Sequence, residues 1–180
     1  MIENAIQILK DKIATASLWE HELEFKRDTC IKEAGTIDTN LYFLEDGSAR
    51  VYITEEAKEH IMYFGYKNSL LSAIDSFLTD APSKLCIKTI KKTTVKVISK
   101  SQFLQFIEKE KETLSLWQQV LFQLLLMRVD REKTLLLNSS KARYEQTLEM
   151  YPTLFQEIPH RYIASYLRMT PETLSRIQKS

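Results

Sequence analysis

The stretch between residues 110 and 137 contains neither glycine nor proline. A continuous helix there would extend roughly 42 Å, because an α-helix rises about 1.5 Å per residue, and one small domain cannot cover that length. Its apolar side chains occupy more than one face. Leu114, Trp117, Leu121 and Leu124 form one stripe, whereas Leu116, Val120 and Met127 lie elsewhere. This pattern predicts a helix that is buried on more than one side.

Two arrangements bury such a helix. One side can pack on a neighbouring domain while the other meets the same helix of a second subunit, which predicts a homodimer. Alternatively, the helix belongs to the core of a monomer, since Arg128 and Arg131 interrupt the stripe as interior positions of a monomer also can.

The sequence before this helix has a different character. Apolar residues at Ile2, Ile6, Leu9 and Ile13 predict a short amphipathic helix over residues 1–17. Residues 25–98 are rich in β-branched and aromatic residues, with turn signals at Gly35, Asp46-Gly47 and Pro82. They predict an antiparallel barrel or roll, interrupted by a short helix over residues 70–78.

A break follows the long helix at Asn138-Ser139-Ser140, residues that favour the cap of a new helix. Further helices are predicted over residues 141–151, 159–167 and 170 to the end. The chain therefore divides into residues 1–109, the long helix 110–138 and a helical region 139–180. The predicted fold class is α+β.

Composition excludes several classes of protein. The chain has 180 residues, of which 44% are hydrophobic and 27% charged, as in soluble globular proteins. Its longest apolar run, residues 120–127, is far shorter than the roughly 20 residues that cross a bilayer. With no signal-peptide pattern, a cytoplasmic location is the expectation. Cys30 and Cys86 have no metal-ligand spacing with any histidine, so we expect reduced thiols and no metal. No catalytic cluster of His, Cys or carboxylates indicates an enzyme.

The charge of the chain is uneven. Its net charge is +1, but residues 1–138 carry 19 basic against 20 acidic side chains, whereas residues 139–180 carry six against four. The last twenty residues alone have a net charge of +3. This modestly basic end is compatible with contacts to phosphates.

The final stretch, IASYLRMTPETLSRI, has the layout of a helix-turn-helix. Ile163 and Leu167 give the first helix an apolar face, Leu174 and Ile177 do so for the second, and Met169 fills the corner. Thr170 suits the N-cap, Pro171 the first helical position and Glu172 the positive end of the helix dipole.

In this layout the second helix enters the major groove of DNA. The residues predicted to face bases are Glu172, Thr173, Ser175 and Arg176, next to Thr170 and Pro171 at the start of the helix. Lys179, Arg168 and Arg161 are predicted to contact phosphates. The alternative is an ordinary helical hairpin with charged faces in solvent.

These segments together resemble the regulator superfamily of the cyclic-AMP receptor protein and the fumarate and nitrate reduction regulator. The resemblance covers nearly the whole chain, and its strongest parts are EAGTIDTNLYFLEDGSARVY and IASYLRMTPETLSRIQK. It implies a bacterial transcription regulator with a cyclic-nucleotide-binding type β-roll, a dimerisation helix and a winged-helix domain that binds double-stranded DNA.

The resemblance fails at the effector pocket. Members that bind cyclic nucleotides have Gly-Glu at the start of the internal helix and an Arg about ten residues later. Ser72-Ala73 and Ser83 stand there in this sequence, with Lys84 adjacent. Because the ribose acceptor and the bidentate phosphate donor are both missing, we expect cyclic AMP to bind weakly or not at all. No cofactor is predicted, and any other small-molecule effector stays unidentified.

The DNA-binding end also departs from the pattern. Arg168 stands where the turn usually has Gly, which costs about 1 kcal/mol if that residue is left-handed. Pro171 aligns with the first groove-facing Arg, and the β-hairpin wing that follows the second helix in the family is not expected. The sequence predicts a DNA-binding regulator with an altered sensor pocket. The alternative is a ligand- or protein-binding module of the same fold that has lost DNA binding.

Overall fold

The protein is described by a computed structural model that covers residues 2–179, with side chains described from residue 5 onward. Its helices are α1 (Ile2–Thr15), α2 (Ile74–Thr79), α3 (Lys100–Glu108), α4 (Lys111–Leu135), α5 (Ser140–Met150), α6 (Pro152–Glu157), α7 (His160–Tyr166) and α8 (Pro171–Lys179). Its strands are β1 (His21–Phe25), β2 (Cys30–Lys32), β3 (Leu41–Asp46), β4 (Ser48–Glu55), β5 (Lys58–Tyr66), β6 (Leu70–Leu71), β7 (Cys86–Thr89) and β8 (Thr93–Ile98).

The strands form two four-stranded antiparallel sheets, in the orders β1-β8-β3-β6 and β2-β7-β4-β5. Leu44 and Val95 from the first sheet pack against Val51 and Ile87 from the second, all fully buried. The sharp β3–β4 turn depends on Gly47, whose φ is +84° and whose added Cβ would lie 2.1 Å from the Lys92 carbonyl oxygen. The predicted α+β class with an antiparallel β-roll is confirmed.

A second core joins the roll to the helices around it. Leu9 and Ile13 of α1 are fully buried there, as their spacing predicted, whereas Ile2 lies outside the described side chains. Phe103 of α3 and Trp117 of α4 form the centre, with ring centroids 4.9 Å apart. Since aromatic side chains bury large apolar areas, this cluster anchors α4 to the roll.

One local prediction was wrong. Residues 70–78 were expected to be one helix, but Leu70 and Leu71 pair with β3 as β6 and the helix begins at Ile74. Pairing with Tyr42 and Phe43 outweighs the local helical pattern. The helix α6 was not predicted; it begins at Pro152, because the first position of a helix tolerates proline.

The long helix α4 has two apolar faces. Leu116, Trp117 and Val120 are buried against the rest of the chain. The opposite side exposes large apolar side chains to solvent: Phe122 (65%), Leu125 (61%), Leu126 (60%), Val129 (37%) and, just beyond the helix, Leu136 (77%). Apolar residues lie on more than one face, as the sequence predicted, and the chain itself covers only one of them. The predicted division between faces was wrong, because Leu116 and Val120 share the buried face with Trp117, whereas Leu114 of the predicted stripe is exposed.

The helices after α4 share a core of their own. It contains Leu154, Ile158, Ile163, Leu167 and Leu174, together with Ile90 from the loop after β7. The Ser139 hydroxyl accepts a hydrogen bond from the Ala142 N–H, which confirms the predicted capping role of this break. Over residues 2–179 no helix is long and apolar enough to cross a membrane.

Candidate nucleic-acid interface and effector position

The two helices of the predicted helix-turn-helix are α7 and α8. Ile163, Ala164 and Leu167 are buried on the inner face of the first, and Leu174 is fully buried on that of the second. Met169 packs against the same cluster from the turn. The apolar spacing therefore has the structural role that the sequence predicted, with Ile177 half-buried.

The turn between these helices contains a left-handed residue. Arg168 has a φ of +53°, so it adopts the conformation for which glycine is favoured. The Arg168 and Met169 N–H groups donate to the carbonyl oxygens of Ser165 and Ala164, and these bonds close the turn. The Arg143 Nε donates to the Leu167 carbonyl oxygen at 3.0 Å, which ties α5 to the same turn. These contacts offset the backbone cost of an arginine at this position.

The start of α8 is capped by its own residues. The Thr170 hydroxyl accepts a hydrogen bond from the Thr173 N–H at 3.2 Å, and Pro171 occupies the first helical position. Hydrogen bonds from its own backbone N–H and from the Thr170 hydroxyl lower the pKa of Glu172. The helix start is thereby fixed without help from another part of the chain.

The outer face of α8 is open. Glu172, Ser175, Arg176 and Lys179 are exposed and Thr173 is half-buried. Arg168, Thr170 and Pro171 are exposed as well. The residues that the sequence assigned to base contacts therefore lie on α8 or in the turn before it, and all but Thr173 are exposed. Arg161, a predicted phosphate contact, is exposed on α7 and packs on the Tyr162 ring.

The predicted effector position lies between β5, α2 and α4. Ser72 and Ala73 precede α2 and are buried. The Ser72 hydroxyl oxygen has no hydrogen-bond partner, while its carbonyl oxygen accepts a hydrogen bond from the Tyr63 hydroxyl at 2.6 Å. Burial raises the pKa of Tyr63 to about 12. A neutral tyrosine from β5 thus reaches the residues that align with the family's ribose contact.

Arg128 covers this tyrosine from α4. Its guanidinium carbon lies 4.1 Å from the centre of the Tyr63 ring, and its Nη1 donates to the Met62 carbonyl oxygen at 3.1 Å. A cation over an aromatic face is attracted by the ring quadrupole. The contact between these two side chains therefore connects α4 to β5.

Ser83, which aligns with the family's phosphate-binding Arg, is also engaged internally. Its hydroxyl donates to Asp75 Oδ2 at 2.8 Å and accepts from the Leu85 N–H at 3.0 Å. Lys32 Nζ donates to the carbonyl oxygens of Ser83 and Leu85, and burial lowers the pKa of this lysine. Lys84 is exposed. The polar groups near Ser83 therefore bond mainly to one another.

The sequence reasoning missed Tyr63, Lys32 and Asp75 as parts of this site. The sequence does contain a signal for the contact between Tyr63 and Arg128, since Arg128 lies in an apolar helix and β5 contains the aromatic run YFGY. A buried arginine needs such a partner. No spacing within the sequence, however, indicates that residues 63 and 128 meet.

Thiols and carboxylates give no further site. Cys30 is exposed, Cys86 is buried, and both are free. Within the described part of the chain, no three His, Cys, Asp or Glu side chains lie close enough together to hold a metal ion.

These features define a class of protein, namely one with a cyclic-nucleotide-binding type β-roll followed by a long helix and a helix-turn-helix. Comparison with known proteins agrees with this class. Residues 22–110 match the family described as the cyclic nucleotide-binding domain. No curated protein matches the sequence significantly.

Solved structures extend the similarity beyond residue 110. FixK2 from Bradyrhizobium japonicum aligns with a TM-score of 0.73 and 17% identity, over 88% of this chain and 82% of its own. The c-di-GMP responsive global regulator CLP from Xanthomonas campestris aligns with 0.71 and 14%, over 94% and 90%. The catabolite activator protein of Thermus thermophilus aligns with 0.57 and 20%, over 94% and 81%.

Residues 22–110 thus match the cyclic nucleotide-binding domain, and the chain has the fold of the superfamily of the cyclic-AMP receptor protein and the fumarate and nitrate reduction regulator. The fold that the sequence resemblance implied is thereby confirmed. The structures to which it is similar are mainly those of transcriptional regulators.

Proposed function

We propose that this protein is a homodimeric transcription regulator that binds double-stranded DNA through α8. One observation carries the proposal: the candidate base-contacting residues Glu172, Ser175 and Arg176 follow a capped helix start and are exposed, with Thr173 half-buried beside them. An ordinary helical hairpin would also expose a polar face, so the DNA-binding experiment below separates the two. Regulators of this fold use the same helix to enter the major groove.

The exposed face of α4 supports the dimer. Phe122, Leu125 and Leu126 form a contiguous exposed apolar surface. Surfaces of this kind commonly mark a site of interaction with another molecule. Pairing with the same helix of a second subunit covers this surface and places two copies of α8 on one side of the assembly. In this proposal α4 links the sensor region, residues 1–109, to the DNA-binding region, residues 139–180.

Sedimentation analysis tests the dimer. Leu125→Glu should convert the protein to a monomer, because it places a charge in the proposed interface. Leu148→Glu is the matched control, since Leu148 is also a surface-exposed leucine (37%) but lies on α5. It should leave the dimer intact. A monomeric wild-type protein at micromolar concentration would contradict the proposal.

The decisive experiment measures affinity for random duplex DNA at low and at moderate salt. A regulator that neutralises phosphates binds at low salt and loses affinity steeply as salt rises, because binding releases counterions. If a confirmed dimer fails to bind at low salt, the chain is instead a ligand- or protein-binding module of the same fold. A selected DNA library would then identify the operator of a protein that binds.

We also propose that the sensor pocket is altered so that it does not bind cyclic AMP. The Tyr63 hydroxyl donates to the Ser72 carbonyl oxygen, Arg128 packs on the Tyr63 ring, and the Ser83 hydroxyl donates to Asp75, which supports this view. Thermal unfolding with and without cyclic AMP should give the same melting temperature. A saturable upward shift would show that the nucleotide does bind.

A further inference from the structure

The inner side of α7 rests on the β-roll of the same chain. Tyr162 and Tyr166 lie one helical turn apart on α7, and each faces an arginine from another part of the fold. The guanidinium carbon of Arg50 lies 4.8 Å from the centre of the Tyr162 ring, and that of Arg131 lies 4.6 Å from the centre of the Tyr166 ring. Two separate cation–π contacts therefore connect the first helix of the helix-turn-helix to β4 and α4.

Arg50 is held in one orientation. Its side chain is only 4% exposed, and its Nε and Nη2 donate to the two carboxylate oxygens of Glu59 at 2.8 and 2.9 Å. The Nη1 donates to the Thr89 carbonyl oxygen at 3.3 Å. Since a bidentate pair fixes the plane of the guanidinium, Tyr162 meets a preset surface.

Arg131 is held less completely, because its buried Nε has no hydrogen-bond partner. Its Nη2 donates to the Ile61 carbonyl oxygen of β5 at 2.9 Å. The Phe64 ring lies 5.4 Å from that of Tyr166, and Ile61 and Cys86 complete an apolar patch beneath both tyrosines. Contacts of this kind between two units of one chain are commonly weak and polar, so motion between such units is the usual expectation. A buried, oriented contact is the exception.

We propose that Arg50, Arg131, Tyr162 and Tyr166 form a latch that holds the helix-turn-helix in one fixed position on the β-roll. This Arg–Tyr latch presets where α8 stands relative to the dimer helix. It acts beside the chain connection at residues 136–139 and the packing of Ile90 on the C-terminal helices, and independently of any small molecule. The inference deepens the proposed function, because a fixed position matters for a helix that must meet a groove.

The latched position leaves α8 accessible. Glu172, Ser175 and Arg176 are exposed while both tyrosines contact the roll. The latch therefore does not shield the candidate DNA contacts. A preset pair of α8 helices loses less conformational entropy on binding two half-sites than a loosely tethered pair, so the latch should raise affinity for DNA.

Relaxation of backbone 15N nuclei tests the latch without DNA. In the wild-type protein, residues 21–98 and 140–179 should tumble with one correlation time. In Tyr162→Ala/Tyr166→Ala the helical region should tumble faster than the roll, because both ring contacts are lost. Circular dichroism verifies that the helices of the variant remain folded. Arg131→Met, which replaces the guanidinium with an apolar side chain, is a second variant. Its two regions should differ in correlation time to a smaller degree.

The control is Tyr144→Ala. Tyr144 packs on Phe155 inside the C-terminal helices, with ring centroids 5.4 Å apart, so the same substitution in the same region spares the latch. Its two regions should tumble together as in the wild-type protein. Separate correlation times in the wild-type protein, or a shared one in the folded double variant, would overturn the latch.

Affinity for DNA is the second readout. The double variant should bind duplex DNA at least about tenfold more weakly than the wild-type and Tyr144→Ala proteins at the same salt concentration. Equal or tighter binding by a variant whose regions tumble separately would contradict the positioning role. Failure of the wild-type dimer to bind DNA would instead contradict the proposed function, while the relaxation data still decide whether the latch exists.

Discussion

Around Ser72 the polar groups of β5, α2 and α4 bond to one another, whereas along the outer face of α8 they face solvent. Tyr63 donates to the Ser72 carbonyl oxygen and lies under Arg128. On α8, by contrast, Ser175 and Arg176 are exposed. The first region pairs most of its buried polar groups within the chain, with the Ser72 hydroxyl as an unpaired exception, and the second leaves donors and acceptors free for another molecule.

This difference separates residues that stabilise the fold from residues that can bind another molecule. A residue whose hydrogen bonds are satisfied within the chain contributes to stability, and its loss should destabilise the protein. A residue whose groups face water contributes little to stability, and its loss should change binding alone. Variants in the two regions can therefore be sorted by which of these two quantities they change.

The largest effect should come from Tyr63→Ala. This variant loses the packing of the ring, the contact with Arg128 and the hydrogen bond to Ser72, so the free energy of unfolding should fall by about 3 kcal/mol. Urea denaturation measures the change. Tyr63→Phe keeps the ring and should cost only about 1 kcal/mol, the value of one hydrogen bond to a buried carbonyl.

An unchanged free energy of unfolding in Tyr63→Ala would contradict the claim that the groups around Ser72 contribute to stability. It would mean that Tyr63 is held loosely enough to leave its position, so that the space around Ser72 can open for an effector.

Arg176→Ala tests the second region. Affinity for duplex DNA should fall roughly 5- to 100-fold, as expected for a side chain that contacts a base. The melting temperature should stay the same, because the side chain is exposed. Lys141→Ala removes the same charge from α5 and should change affinity much less. Equal losses of DNA affinity in both variants would mean that Arg176 contributes only through its charge and does not contact a base.

Sequence reasoning succeeded where the signal is local. The turn at Gly47, the face of α1 and the cap at Thr170 each depend on residues a few positions apart, and all were predicted. Their physical causes are a backbone conformation, a helical period and one short hydrogen bond, which adjacent residues determine.

It failed where distant segments compete or meet. Leu70 and Leu71 continue a helical pattern, yet they become a strand because Tyr42 and Phe43 offer backbone partners. The pairing of Tyr63 with Arg128 likewise follows from how α4 lies across the roll, which no local pattern fixes. The candidate groove residues were identified by resemblance and motif together, and their function stays a prediction.

Thr170→Ala should have a moderate effect on α8. The hydroxyl accepts from the Thr173 N–H, and loss of such a cap costs about 1 kcal/mol. Amide hydrogen exchange of α8 should accelerate, and DNA affinity should fall with it. Thr170→Ser keeps the oxygen and should preserve both. Slower exchange in α8 than in the wild-type helix would contradict the cap.

The smallest effect concerns the charge of Glu172. Hydrogen bonds from its own N–H and from the Thr170 hydroxyl lower the pKa of this carboxylate in the folded protein. Its stabilising contribution is therefore present above the unfolded-state pKa and disappears as pH falls through the folded-state pKa. Glu172→Gln should remove this part of the acid dependence while shifting the melting temperature at neutral pH by less than about 2 °C.

The same substitution should strengthen binding to random DNA slightly, because it removes a negative charge that faces phosphates. Glu172 would then discriminate between sequences rather than add affinity, since cytosine and adenine offer an amino donor to its carboxylate in the major groove whereas guanine and thymine offer acceptors. Weaker binding of Glu172→Gln to random DNA would contradict an orientation of α8 with its first turn toward the bases.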